Sequence, residues 1–82
     1  MVGKIIPSSE LLEIWRKEDE EARRIRKKYA DWKYIGKQPP QLRLALIIYI
    51  EIGDIYKAAK TANMTIDEFN EYRIEANIPN IT

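Results

Sequence analysis

The sequence predicts an all-α protein: a long N-terminal amphipathic helix followed by a compact three-helix domain. Three observations predict it. Apolar residues recur at helical spacing from Leu11 to Trp32, with nothing between them that breaks a helix. A second apolar block, LRLALIIYIEI, is framed by Pro40 before it and Gly53 after it. The stretch KAAKTANMTIDEFNEY has the rhythm of two short helices meeting at a tight corner.

The first helix begins after Pro7, where Ser8 or Ser9 supplies an N-cap and Glu10 places a carboxylate in the first turn. Its apolar line runs Leu11, Trp15, Ala22, Ile25, Tyr29, Trp32, with Glu18 as the one polar intruder. Acid-first pairs four apart, Glu13 to Lys17, Asp19 to Arg23 and Glu20 to Arg24, support the same helix. It is expected to run to about Ile35, roughly 40 Å at 1.5 Å per residue. Gly36 stops it, and Lys37-Gln38-Pro39-Pro40 is a rigid connector. Residues 1–36 thus form an extended piece and a long charged helix, and residues 41–80 form the domain.

The block from Leu42 to Ile52 is apolar on nearly every side, and its isoleucines also suit a strand. Pro40 at a helix start, Leu and Ala in the first half and Gly53 as a stop favour a helix, the most buried one. Asp54 caps the next helix, from Ile55 to Ala62, whose Ala58, Ala59 and Ala62 permit close approach of a neighbour. Asn63 stands at the corner, where asparagine tolerates a left-handed backbone. Thr65-Ile66-Asp67-Glu68 has the form of a capping box, with Met64 and Phe69 as its hydrophobic staple. Phe69, Tyr72 and Ala76 mark the inward face, and Asn77-Ile78-Pro79 closes the helix.

Composition limits the chemistry. The chain has 82 residues, 45% of them hydrophobic and 33% charged, which suits one small folded domain. It contains neither cysteine nor histidine, so the commonest nucleophile, general base and metal ligands are missing. No enzyme, metal site or cofactor is expected. No secretory signal is visible, and the apolar run from Leu44 to Ile50 falls far short of the ~20 residues that cross a bilayer. A cytoplasmic protein without membrane contact follows.

The net charge of +1 hides an acidic–basic–acidic pattern. Residues 22–43 hold eight basic side chains against Asp31 alone, whereas the flanking segments each hold three basic and six acidic ones. The basic block is the natural phosphate footprint, from Arg23, Arg24, Arg26, Lys27, Lys28 and Lys33, with Lys57 and Lys60 beside the corner. If the last helix enters a DNA groove, the base contacts fall to Thr65, Ile66, Asn70 and Arg73. The alternative places a partner protein, or a second copy, on the apolar line Leu11, Trp15, Ile25, Tyr29 and Trp32.

L-A-L-x-x-Y from Leu44, K-A-A-x-x-A-x-M from Lys57, E-F-x-E from Glu68 and Ile78-Pro79 together resemble small prokaryotic helix-turn-helix proteins. The resemblance covers residues 42–79. It implies an antitoxin-like partner of a PIN-type ribonuclease toxin, or a small regulator. The corner and the basic block together favour a DNA-binding regulator acting as a homodimer on two half-sites, with the protein-interaction module as the alternative. The chain departs from such relatives in two places. Only residues 53–56 precede the alanine pair, and Ile66-Asp67 stand where a basic or aromatic residue is usual.

Overall fold

The computed structural model describes residues 8–81 in backbone and residues 16–81 in side chain. Five helices follow one another: α1 (Ser8–Tyr29), α2 (Trp32–Gly36), α3 (Pro40–Ile52), α4 (Ile55–Thr61) and α5 (Ile66–Glu75). Among the described residues there is no β-strand. The block that also suited a strand is therefore helical, starting on Pro40 and stopping at Gly53, which takes a left-handed φ of 69°.

The expected single helix to Ile35 is two helices. Asp31 sits between them with extended backbone, and its carboxylate accepts the Tyr34 amide as the N-cap of α2. Three contacts hold this break. The Asp31 amide donates to Ala76 O at 2.8 Å. Asn77 Nδ2 donates to Tyr29 O at 3.0 Å, and Trp32 Nε1 to Lys27 O at 3.0 Å. Carbonyls that a continuous helix would have used are thereby bonded to Asn77, just past the end of α5, and to the indole.

The core is built on α3. Leu42, Ala45, Leu46, Tyr49 and Ile50 are buried, and they meet Ala30, Ile35, Ala58, Ala59, Phe69, Ala76 and Ile78. Ala58 and Ala59 let α4 lie close against α3. The Tyr49 and Phe69 rings are 6.1 Å apart and tilted, the arrangement favoured by ring quadrupoles. Tyr49 Oη finds Asn80 Oδ1 at 3.0 Å, so the buried hydroxyl is satisfied. α3 is nevertheless not buried all round: Leu44 and Ile52 are each about half exposed.

Both short helices end in the same way. Asn63 and Asn77 each have φ of 58°. After α4, Met64 N donates to Ala59 O and Asn63 N to Lys60 O. After α5, Ile78 N donates to Arg73 O and Asn77 N to Ile74 O. These are paired Schellman-type closures with asparagine at the left-handed position. The capping box at Thr65 is complete in both directions, at 3.2 Å and 3.0 Å. Met64 packs against the core that buries Phe69.

The inward line of α1 is Ala22, Arg26 and Ala30, all buried. Of the expected line, Ala22 does face inward, whereas Ile25 and Tyr29 are one residue, about 100° of helix rotation, away from Arg26 and Ala30, and Trp32 belongs to α2. Ile25 is half-buried, and Tyr29 and Trp32 are exposed. Leu11 and Trp15, expected on the same line, lie outside the described side chains, as does Glu13.

Candidate functional site

The outward side of α5 is acidic. Asp67, Glu68, Glu71 and Glu75 are exposed, with Ile66 and Ile74 between them. Glu68 is the capping-box carboxylate, and the Thr65 backbone and hydroxyl hold its pKa below the usual range. Glu75 accepts from Tyr34 Oη at 2.6 Å. Desolvation, and then this bond to a carboxylate, push the Tyr34 phenol up to about 12.

The expected base-contact set is partly occupied. Thr65 Oγ accepts the Glu68 amide. Arg73 Nε donates to Asn70 Oδ1 at 2.8 Å, and Arg73 Nη1 to Ile78 O at 2.7 Å. Both side chains are partly buried and bonded along their own helix and its exit loop. Of the four, Ile66 alone makes no side-chain hydrogen bond and stands open. Asn70 Oδ1 and two of the three Arg73 nitrogens are thus already engaged within the chain, and a base contact has to compete with these bonds.

The basic block is divided by its partners. Arg26 is not a surface cation: it is 3% exposed. Its Nε donates to Ile50 O at 2.8 Å and its Nη1 to Ile81 O. The expected phosphate contact at Arg26 is thus corrected to a structural one. Burial pulls its pKa below the ordinary guanidinium value, yet the group remains charged. The positive head stands at the C-terminal end of α3, where the helix dipole is negative.

Arg23 and Lys27 lean towards Glu51 of α3, at 3.8 Å and 3.4 Å. Arg24 pairs with Glu21 at 2.8 Å rather than with Glu20, and Arg23 has turned to Glu51 rather than Asp19. A surface hollow lies here, lined by Lys17, Glu20, Glu21, Arg23, Arg24, Lys27 and Glu51. Its charges nearly cancel, so it is no strong anion site. Lys28, Lys33, Lys57 and Lys60 are exposed and make no ion pair among the described residues. Lys28 Nζ lies 5.6 Å from the Tyr29 ring centroid.

Four residues important to this arrangement escaped the reading of the sequence: Asp31, Glu51, Asn77 as a donor to Tyr29 O, and Arg26 as a buried group. Asp31 followed by Trp32-Lys33-Tyr34 did carry an N-cap signal. Ala22 and Ala30, one step of four on either side of Arg26, also marked a line where a neighbouring helix can approach closely.

Among the described residues no cluster of three acidic side chains could hold a metal ion, and no helix is long and apolar enough to cross a membrane. Comparisons with protein-family models, curated proteins and solved structures found no match.

Proposed function

We propose that this chain is a small protein-binding module of the antitoxin-like kind, in which a helix-turn-helix frame displays helices to a partner protein instead of reading bases. The observation that carries this reading is the outward side of α5. Four carboxylates face out, while Asn70 and Arg73 are bonded to each other and to Ile78 O. Such a surface repels phosphate, and a base has to compete with charge-assisted bonds already made.

The partner surface is on α1 and the start of α2. Ile25, Tyr29 and Trp32 remain at least partly open, and the exposed cations Arg24 and Lys28 lie beside them. An aromatic centre with an arginine at its edge is the composition of a protein interface. A nuclease, whose active site gathers carboxylates, fits the arginine-rich helix and the antitoxin resemblance.

A second reading, DNA binding as a dimeric regulator, is favoured by one observation. The corner at Asn63 joins a closed α4 to a capped α5, and Lys57 and Lys60 on α4 are unpaired among the described residues. In that case the lysines hold phosphates and α5 must rearrange to read sequence.

The test is affinity purification of the tagged full chain from its host, in parallel with Tyr29→Glu and Asn70→Ala. The module reading expects a stoichiometric protein partner, kept by Asn70→Ala and lost with Tyr29→Glu. Recovery of DNA alone, lost with Asn70→Ala, would overturn it.

A further inference from the structure

The segment after α5 returns across α1, the helix that carries most of the proposed partner surface. Asn77 Nδ2 donates to Tyr29 O at 3.0 Å, and Pro79 shares a hollow with Tyr29, Ile74 and Ile78. Further on, Ile81 lines a second hollow with Ala22 and Ile25, rimmed by Glu18 and Glu21. Its carbonyl accepts from Arg26 Nη1. Residues 77–81 therefore follow the last turns of α1, from Tyr29 back towards Ala22.

The hold on this segment is uneven. Ile78 is 1% exposed, its amide donates to Arg73 O, and its carbonyl accepts from Arg73 Nη1. Past Pro79 the ties come from side chains: Tyr49 Oη donates to Asn80 Oδ1 at 3.0 Å, and Arg26 Nη1 donates to Ile81 O. Among the described residues, no amide of Asn80 or Ile81 donates to a backbone carbonyl. Asn80 is exposed and Ile81 half-buried. Ile78 is thus an anchor, and residues 80–81 have few bonds to lose on lifting, the mark of a segment that opens ahead of the core.

We propose that residues 80–81 are an autoinhibitory strap: closed on Arg26, they cover the Ile25 end of the partner surface, and a protein partner seats fully on α1 only when they lift. The inference rests on the reading of α1 as the surface of a protein-binding module and names the regulation of that surface. Lifting leaves Arg26 anchored, because Nε keeps its bond to Ile50 O. Nη1 is then open to a carbonyl of the partner, and the hollow left by Ile81 to one of its apolar side chains. The closed strap lowers the apparent affinity by the fraction of molecules in which it is open. A segment that merely braces α1 has the opposite sign: loosening it disorders the helix and weakens binding.

The experiment compares tagged full-length chains as baits in host extract. The released form is Asn80→Ala with Ile81→Ser. The locked form is Glu18→Cys with Ile81→Cys, joined by a short bis-maleimide, against the same variant capped with N-ethylmaleimide. The chain has no cysteine, so only these thiols react. The released form should retain about five-fold more of the protein that wild type retains, and the locked form about ten-fold less than the capped one. Independently of any partner, the thiol of Ile25→Cys should react with maleimide about three-fold faster in the released background, with helical circular dichroism unchanged. Equal labelling overturns the cover. Retention unchanged or lowered in a released form of normal helicity, or a locked form that binds as well as the capped one, overturns the strap and leaves the module reading standing. The locked and capped pair decides the matter where the released form loses helix. If no form retains a protein, the module reading falls and the gate with it, even where labelling rates differ.

Discussion

The guanidinium of Arg26 on α1 donates from Nε to the carbonyl oxygen of Ile50 on α3, at 2.8 Å, in a site almost closed to water. The same group donates to Ile81 O, so one side chain ties α1, the end of α3 and the C-terminal segment together. Gly53 makes room for it: a Cβ there would meet Arg26 Nη1 at 2.9 Å.

Arg26→Ala is expected to destabilise the fold by about 2–4 kcal/mol, because the buried Ile50 O and the partly buried Ile81 O lose a charged donor and a cavity opens. Urea unfolding followed by circular dichroism measures it. Arg26→Lys should recover only part, since an ammonium cannot reproduce the fork. Gly53→Ala should cost at least about 1 kcal/mol, from its left-handed φ of 69° as well as the collision with Arg26.

The capping box gives an acid-side signature. The Glu68 pKa is depressed in the folded state, so its contribution is present above the unfolded carboxylate value of roughly 4.3 and fades as pH falls through the folded value. Melting temperature measured from pH 7 to pH 2 should show a step in the wild type that Glu68→Gln lacks. Thr65→Ala should lower stability by about 1 kcal/mol at neutral pH.

Tyr34 gives the opposite signature. Its phenol is raised to about 12 and bonded to Glu75. Stability from this bond is complete below the ordinary phenol value near 10 and is lost as pH rises towards about 12. Absorbance titration at ~295 nm should show one late-ionising tyrosine disappear in Tyr34→Phe. Glu75→Gln should bring the midpoint back towards the ordinary value.

The features that were legible in the sequence are those set by a few neighbouring residues. Asp54 and Thr65 cap their helices as their spacing predicts, Gly53 ends α3, and Asn63 turns left-handed. The features that were not legible depend on distant atoms. Asp31 interrupts the long helix because Ala76 O and Asn77 wait for that turn. Arg26 is buried because the end of α3 presents Ile50 O to it. In a run of charges, an arginine bound inward looks no different from its solvated neighbours. α3 posed a related problem: apolar on every side, it gave no sign of which side its neighbours would leave open. At the proposed surface, Tyr29 and Trp32 were expected on one helix line, whereas the break at Asp31 puts them on α1 and α2. The bonding of Asn70 to Arg73 was not, because either residue alone looks like a base reader.

The most direct test of the central claim, that α5 does not read bases, is selection of random-sequence duplexes by the purified full chain at about 150 mM salt, where unspecific phosphate contacts are weak. The account predicts no enriched motif for the wild type, and the same result for Asn70→Ala. An enriched motif that is lost in Asn70→Ala or Arg73→Ala would contradict it.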